Sequence, residues 1–216
     1  MGFKDLLSLD NIEYYMEFLV TIVGTIIIAC RVFKKKLDKY LKDNSIPISR
    51  KIKKQTGIDS EIMKKLEIYK EILGADRIQV FEFHNSGHWA NGRSALKMSC
   101  TYEVCRYGIV RWQNKLLGVP LACITNFINT LLDDGHLDIK NLEEIKGDLP
   151  SSYNLQKAMK TKSSAGIIIH NVEGEPVGFI LISYTKTKDE VKKDYNIDVV
   201  KKLAWFLEEK ISDSVL

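Results

Sequence analysis

The chain has 216 residues, of which 45% are hydrophobic and 28% are charged, and it contains 13 Gly, 4 Pro and 4 Cys. This length allows one domain with an appendage or two small domains. The composition excludes a chain that is disordered throughout, a multi-pass membrane protein and a disulfide-built secreted module. The formal net charge of +4 is uneven, because residues 31–54 carry ten cations against Asp38 and Asp43, a net +8. The remainder is slightly acidic, so we expect no nucleic-acid binding by the main body.

An apolar run follows a short N-terminal lead, residues 1–13. Residues 18–30 carry no charge, and extension to residues 14–33 gives twenty residues with Glu17 and Arg31 near the two ends. Twenty helical residues reach ~30 Å, the thickness of a bilayer core. The sequence therefore predicts one transmembrane helix over residues 14–33. The basic block after the run disfavours a core or oligomerisation helix, and the acidic lead disfavours a cleaved signal peptide.

A basic connector, residues 34–57, comes next, and Pro47 is predicted to interrupt its helix. The positive-inside rule places the connector and all that follows in the cytoplasm, with the N-terminus outside, as in a single-pass protein of the cell membrane. Its cations either bind anionic lipid head groups or serve only as the topology signal. The cations predicted at the membrane surface are Arg31, Lys34, Lys35, Lys36 and Lys39.

Residues 58–216 show helical and strand periodicities in succession. Helices are predicted over residues 60–73, 120–132, 151–160 and 198–212, and strands over 77–84, 94–107, 166–171 and 176–184. This order predicts an α+β domain in which helices flank a mostly antiparallel sheet.

The second hairpin and its flanks resemble a known family. Residues 163–169 (SSAGIII), a turn at 173–175, residues 176–181 (PVGFIL) and the closing helix are similar to the last strands and helix of GAF domains, the sensory fold related to PAS. Residues 77–87 (RIQVFEFHNSG), with 99–103 (SCTYE) after them, resemble membrane-anchored GAF-like proteins of bacteriophages and bacteria. The resemblance implies a ligand between the sheet and the helices over it, and dimer contacts through the first and last helices of the domain.

Polar and aromatic side chains at the first two strands are the candidate ligand site. By strand alternation, Ser99, Thr101 and Glu103 share one face, opposite Met98, Cys100 and Tyr102. Such a face either hydrogen-bonds a small ligand or is a solvated outer face or dimer surface. The candidate ligand-binding residues are Phe81, Phe83, His84, Asn85, Trp89, Arg93, Lys97, Ser99, Thr101 and Glu103. The identity of any cofactor stays open.

Two groups of residues are candidates for a metal site and a redox site, and neither has the required pattern. His84 and His88 are four residues apart, but they lie in a predicted strand end and loop without a third ligand, so no metal site is expected. Cys100, Cys105 and Cys123 lack the spacing expected of GAF-like methionine sulfoxide reductases, and we predict buried, inert thiols. The sequence contains no phosphate-binding loop, nucleophile elbow, dinucleotide fingerprint or kinase signature, so no catalysis is expected.

The sequence therefore predicts a membrane-anchored, cytoplasmic GAF-like ligand-binding or sensory module without catalysis. It would act through dimerisation or contact with a partner. The expected partners are the lipid bilayer, a second copy of the chain, a small molecule and a protein. The alternative is a structural or interaction scaffold at the membrane that binds no ligand and is encoded by a phage.

Overall fold

A computed structural model describes residues 9–44, 48–190 and 196–213, with side chains over 19–36, 49–190 and 196–211. The chain divides into two compact units, Met1–Lys53 and Lys54–Leu216.

The N-terminal unit contains one long helix, α1 (Leu9–Asn44). Every described side chain of α1 is exposed except that Gly24 is half-buried. Among the described residues, no helix combines the length and the apolar character that crossing a membrane requires. Residues 1–8 of the predicted lead (1–13) lie outside the described part. The side chains of residues 14–18 of the predicted span and of Lys39 lie outside it as well.

The second helix, α2 (Ile48–Leu73), begins twelve residues before the predicted start at residue 60. Asp59, just before that predicted start, lies within the helix, and its carboxylate accepts hydrogen bonds from the Gln55 amide at 2.9 Å and the Tyr102 hydroxyl at 2.7 Å. The helix therefore continues through this position. The break predicted at Pro47 falls within residues 45–47, outside the described part, and α1 ends and α2 begins on either side of it.

Six strands form one sheet in the order β3-β2-β1-β6-β5-β4, and every neighbouring pair is antiparallel. The predicted α+β class with an antiparallel sheet is confirmed. The strands β3 and β4 were absent from the sequence-based prediction. The strands are β1 (Arg77–His88), β2 (Ser94–Cys105), β3 (Val119–Pro120), β4 (His136–Ile139), β5 (Ser163–His170) and β6 (Pro176–Tyr184).

Helices cover both faces of the sheet. One face packs on α2 and α5 (Ile197–Asp213), through a core that includes Leu66, Ile180 and Leu203. The other face packs on α3 (Thr125–Asp134) and α4 (Pro150–Ala158), through a core that includes Phe127 and Phe179. The candidate site lies on this second side.

A β-bulge at Thr101 changes which face the residues of β2 occupy. Val80 pairs with Tyr102 and Phe81 pairs with Cys100, so Thr101 is an extra residue in β2. A bulge reverses the alternation of all side chains beyond it. The predicted shared face of Ser99, Thr101 and Glu103 is therefore wrong.

Candidate ligand-binding site

An open groove of about 560 Å³ lies between α3 and the outer half of β2. Its volume falls within the range of small-molecule sites in proteins. Trp89, from the turn that joins β1 to β2, lines the groove and keeps 57% of its surface exposed. The apolar lining comes from Ala95, Leu96, Pro120, Leu121, Ala122, Ile128 and Leu132.

The charges along this groove are all of one sign. Arg93 and Lys97 line it, and no acidic residue of the described part of the chain does. Neither cation forms an ion pair or a side-chain hydrogen bond with the described residues. The groove therefore combines an apolar floor, an aromatic ring and two uncompensated positive charges.

A second, smaller cavity of about 140 Å³ lies where α3 and α4 begin. Residues 122–127 and 149–152 line it, and Ala122 and Thr125 also line the groove, so the first turn of α3 separates the two. The first turn of a helix presents backbone N–H groups and the positive end of the helix dipole. Ser152, only 5% exposed, also lines this cavity.

Glu103 belongs to a buried network and not to the groove. Its carboxylate is fully buried and accepts hydrogen bonds from Gln79 Nε2 at 2.9 Å and the backbone N–H groups of Trp112 at 2.8 Å and Gln113 at 3.0 Å. Arg77 Nε lies 3.3 Å from the same carboxylate. The network fastens the segment after β2 to the sheet, which is a structural role.

Phe81 and Phe83 also lie away from the groove. Phe81 is buried and stacks on Phe179 with ring centroids 4.6 Å apart, and Phe127 meets Phe179 edge-on at 5.7 Å. Phe83 is half-buried, at 6.0 Å from Phe179. These rings fill the space between the sheet and α3, where the family resemblance had implied a ligand.

Three further candidates are engaged in local hydrogen bonds. His84 Nε2 and Ser99 Oγ share a hydrogen bond of 2.9 Å, and Ser99 Oγ also accepts the Gly118 N–H at 2.8 Å. The Asn85 side chain accepts the Gly87 N–H within its own turn. Of the ten predicted residues, the structure therefore brings only Trp89, Arg93 and Lys97 together along the groove.

The cysteines differ in exposure. Cys100 is fully buried, and burial, with the charge of Glu103 as a second cause, raises the pKa of its thiol well above the usual range. Cys105 is half-buried and its pKa is also raised, chiefly by burial. Cys123 is exposed, so its predicted burial is wrong: it lies in a short 3₁₀ turn at the smaller cavity.

The residues of α3 that form one wall of the groove were not among the predicted site residues. Ile128, Asn129 and Leu132 recur at helical spacing on the side of α3 that faces the groove. The helix itself was predicted, but its apolar spacing does not reveal that Leu132 stays half-exposed. The position of α3 beside the outer half of β2 is a long-range contact, which the hydrophobic periodicity of either element does not predict.

Solved structures with the same arrangement include GAF domains and a photoreceptor. The phycoerythrobilin-bound GAF domain of a cyanobacterial phytochrome aligns with a TM-score of 0.53 at 18% identity, over 77% of this chain and 91% of that chain. The GAF domain region of a protein from Geobacter sulfurreducens PCA aligns with a TM-score of 0.52 at 12% identity, over 74% and 96%. This chain has a GAF-like fold. The GAF-like domain also resembles a far-red cyanobacteriochrome photoreceptor, with a TM-score of 0.55 at 13% identity over 84% and 98%.

Neither a protein-family model nor a curated protein matches the sequence. At these identities the likeness establishes the fold of the GAF-like domain and nothing beyond it.

Proposed function

We propose that the chain is a membrane-anchored sensory module without catalysis, whose GAF-like domain binds a small ligand in the groove between α3 and β2. The observation that carries the proposal is the convergence of Trp89, Arg93 and Lys97 on one open groove with an apolar floor. Two similar domains hold bilin chromophores, so this fold accommodates small-molecule ligands.

The membrane anchor is assigned to α1. Support comes from its apolar side chains, which are exposed all round the helix, among them Val20, Ile26, Ile27 and Ile28. Exposed apolar surface of this extent is typical of a segment that contacts a membrane or another protein. Cations follow directly at residues 34–36, which favours a cytoplasmic position for the GAF-like domain.

Transmission of the signal is assigned to contact between two copies or with a partner protein. Support comes from exposed apolar side chains on helices that also pack on the sheet: Ile68 and Ile72 on α2 and Trp205 on α5. Ile68 and Ile72 are four residues apart and therefore lie on one side of α2. A ligand that shifts the packing of the sheet would alter this surface.

A scaffold that binds no ligand is the second candidate. It is favoured by the packed rings of Phe81, Phe127 and Phe179, which occupy the space between the sheet and α3. Under this alternative the groove beside Trp89 stays empty at every ligand concentration.

Thermal unfolding of the full chain in phosphatidylcholine nanodiscs distinguishes the two candidates. The probes are nucleotides, cyclic nucleotides, amino acids and short-chain fatty acids. A ligand at one hundred times its Kd raises the unfolding free energy by about 2.7 kcal/mol. We expect one probe class to stabilise the wild type and the Trp205→Ala control but not Trp89→Ala. If no probe stabilises the wild type, the scaffold replaces the sensor.

Carbonate extraction of membranes tests the anchor. Ile26→Lys with Ile27→Lys places two charges in the apolar run, each at a cost of about 3 kcal/mol within a bilayer. We expect this variant to be released from the membrane pellet. The control adds two charges at Ile68 and Ile72, which are also exposed, and it should stay in the pellet. Identical behaviour of the two variants would contradict an anchor in α1.

A further inference from the structure

We propose that the groove between α3 and β2 is selective for an amphipathic small-molecule anion, a ligand with an apolar body and one carboxylate or phosphate group. The proposal rests on the proposed ligand-binding function and names its ligand class. It follows from the placement of charge and apolar surface along the groove.

The positive charges along the groove favour a negatively charged ligand. Among the described residues, Arg93 and Lys97 are the only charged ones that line the groove, and neither has an acidic partner there. Thr125, the first residue of α3, also lines it, so the positive end of that helix dipole adds to the same potential. An anion gains charge-assisted hydrogen bonds at such a site, whereas a cation is repelled.

The exposed apolar side chains of the groove favour a ligand with an apolar body. Leu96 and Leu132 are about half exposed on opposite walls, and Ile128 is buried beneath them. The ring of Trp89 is more than half exposed at the hairpin end. A ligand that covers these side chains removes apolar area from water at ~25 cal/mol per Å². A small inorganic anion would leave that surface exposed.

Isothermal titration of the full chain in phosphatidylcholine nanodiscs tests the proposal, with empty nanodiscs as the blank. The probes are octanoate and octanamide, which share an apolar chain and differ in charge. A hydrogen bond to a charged group contributes about 1.5–3 kcal/mol, equivalent to at least a tenfold change in affinity. We therefore expect octanoate to bind at least tenfold more tightly than octanamide.

Two pairs of variants locate the effect. Arg93→Gln with Lys97→Gln should bring octanoate to the affinity of octanamide and leave octanamide unchanged. The matched control, Lys64→Gln with Arg111→Gln, removes two exposed cations elsewhere in the GAF-like domain and should bind like the wild type. Trp89→Ala should weaken both probes, while Tyr107→Ala, at a fully exposed aromatic ring outside the groove, should weaken neither.

Three outcomes would overturn the proposal. Equal binding of both probes, with both weakened by Trp89→Ala, would leave a ligand groove without preference for an anion, so the proposed function would survive. Octanoate binding that ignores Arg93 and Lys97 would place the ligand elsewhere. If neither probe binds and Trp89→Ala lowers the oligomer mass in sedimentation, the groove is a protein contact and not a ligand site.

Discussion

Replacement of Glu103 by Gln should destabilise the GAF-like domain strongly, although it only exchanges one carboxylate oxygen for an NH₂ group of similar size. The carboxylate is fully buried and faces four donors: Arg77 Nε, Gln79 Nε2 and the N–H groups of Trp112 and Gln113. A glutamine has one acceptor oxygen and one donor NH₂ group. One orientation of the amide sets its NH₂ group against the N–H groups of Trp112 and Gln113, and the other sets it beside the Arg77 guanidinium. Both orientations leave Arg77 without an anionic partner.

The expected loss is about 3–5 kcal/mol of unfolding free energy. That is the range for a buried ion pair that loses one charge, because the Arg77 side chain, also buried, stays charged without its counterion. Urea unfolding of the full chain, followed by tryptophan fluorescence, measures the change. The control Glu144→Gln alters an exposed carboxylate and should stay within about 0.5 kcal/mol of the wild type.

The double variant Arg77→Gln/Glu103→Gln tests the charge argument itself. Because it removes both charges, we expect it to lose less stability than the two single variants lose together, with a coupling of at least about 1 kcal/mol. Hydrogen exchange at the backbone N–H groups of Trp112 and Gln113 should accelerate in Glu103→Gln. A cost below about 1 kcal/mol for Glu103→Gln, or strict additivity in the cycle, would refute the reasoning.

Two further predictions concern close packing and thiol reactivity. Gly178→Ala should lower the free energy of unfolding in urea by at least about 2 kcal/mol, because the added Cβ would lie 2.1 Å from the Phe81 carbonyl oxygen. Gly147→Ala is the control, since its added Cβ meets nothing within 4 Å, and an equal loss at both positions would contradict this reasoning. Native iodoacetamide labelling at pH 8, read by peptide mass spectrometry, should modify the exposed Cys123 and spare Cys100. Burial raises the pKa of the Cys100 thiol, which stays protonated at pH 8, and rapid modification of Cys100 would show that this burial is wrong.

Much of the fold follows from local patterns in the sequence. The hairpin β5–β6 and the helix α5 were predicted within three residues at each end, because their periodicity and turn lie within one short segment. The strands β3 and β4 were missed because two and four residues carry no measurable alternation. They exist through pairing with β2 and β5, which are distant in sequence.

The candidate site was predicted only in part, for two physical reasons. The bulge at Thr101 reversed the side-chain alternation, so Glu103 faces Arg77 and Gln79 instead of sharing a face with Ser99. A bulge is one extra residue, which the apolar pattern of β2 does not reveal. The groove itself needs α3 beside the hairpin, and that contact is set by tertiary packing.

The central claim is that a small ligand binds in the groove between α3 and β2. The most direct test is methyl NMR of the full chain in nanodiscs, with isoleucine and leucine methyl groups labelled, during titration with octanoate. We predict saturable shifts at Leu96, Ile128 and Leu132, and none at Leu203 and Leu207, which belong to α5 on the opposite face of the sheet. Shifts confined to the opposite face, or no saturable shift at any of the three groove residues, would contradict it.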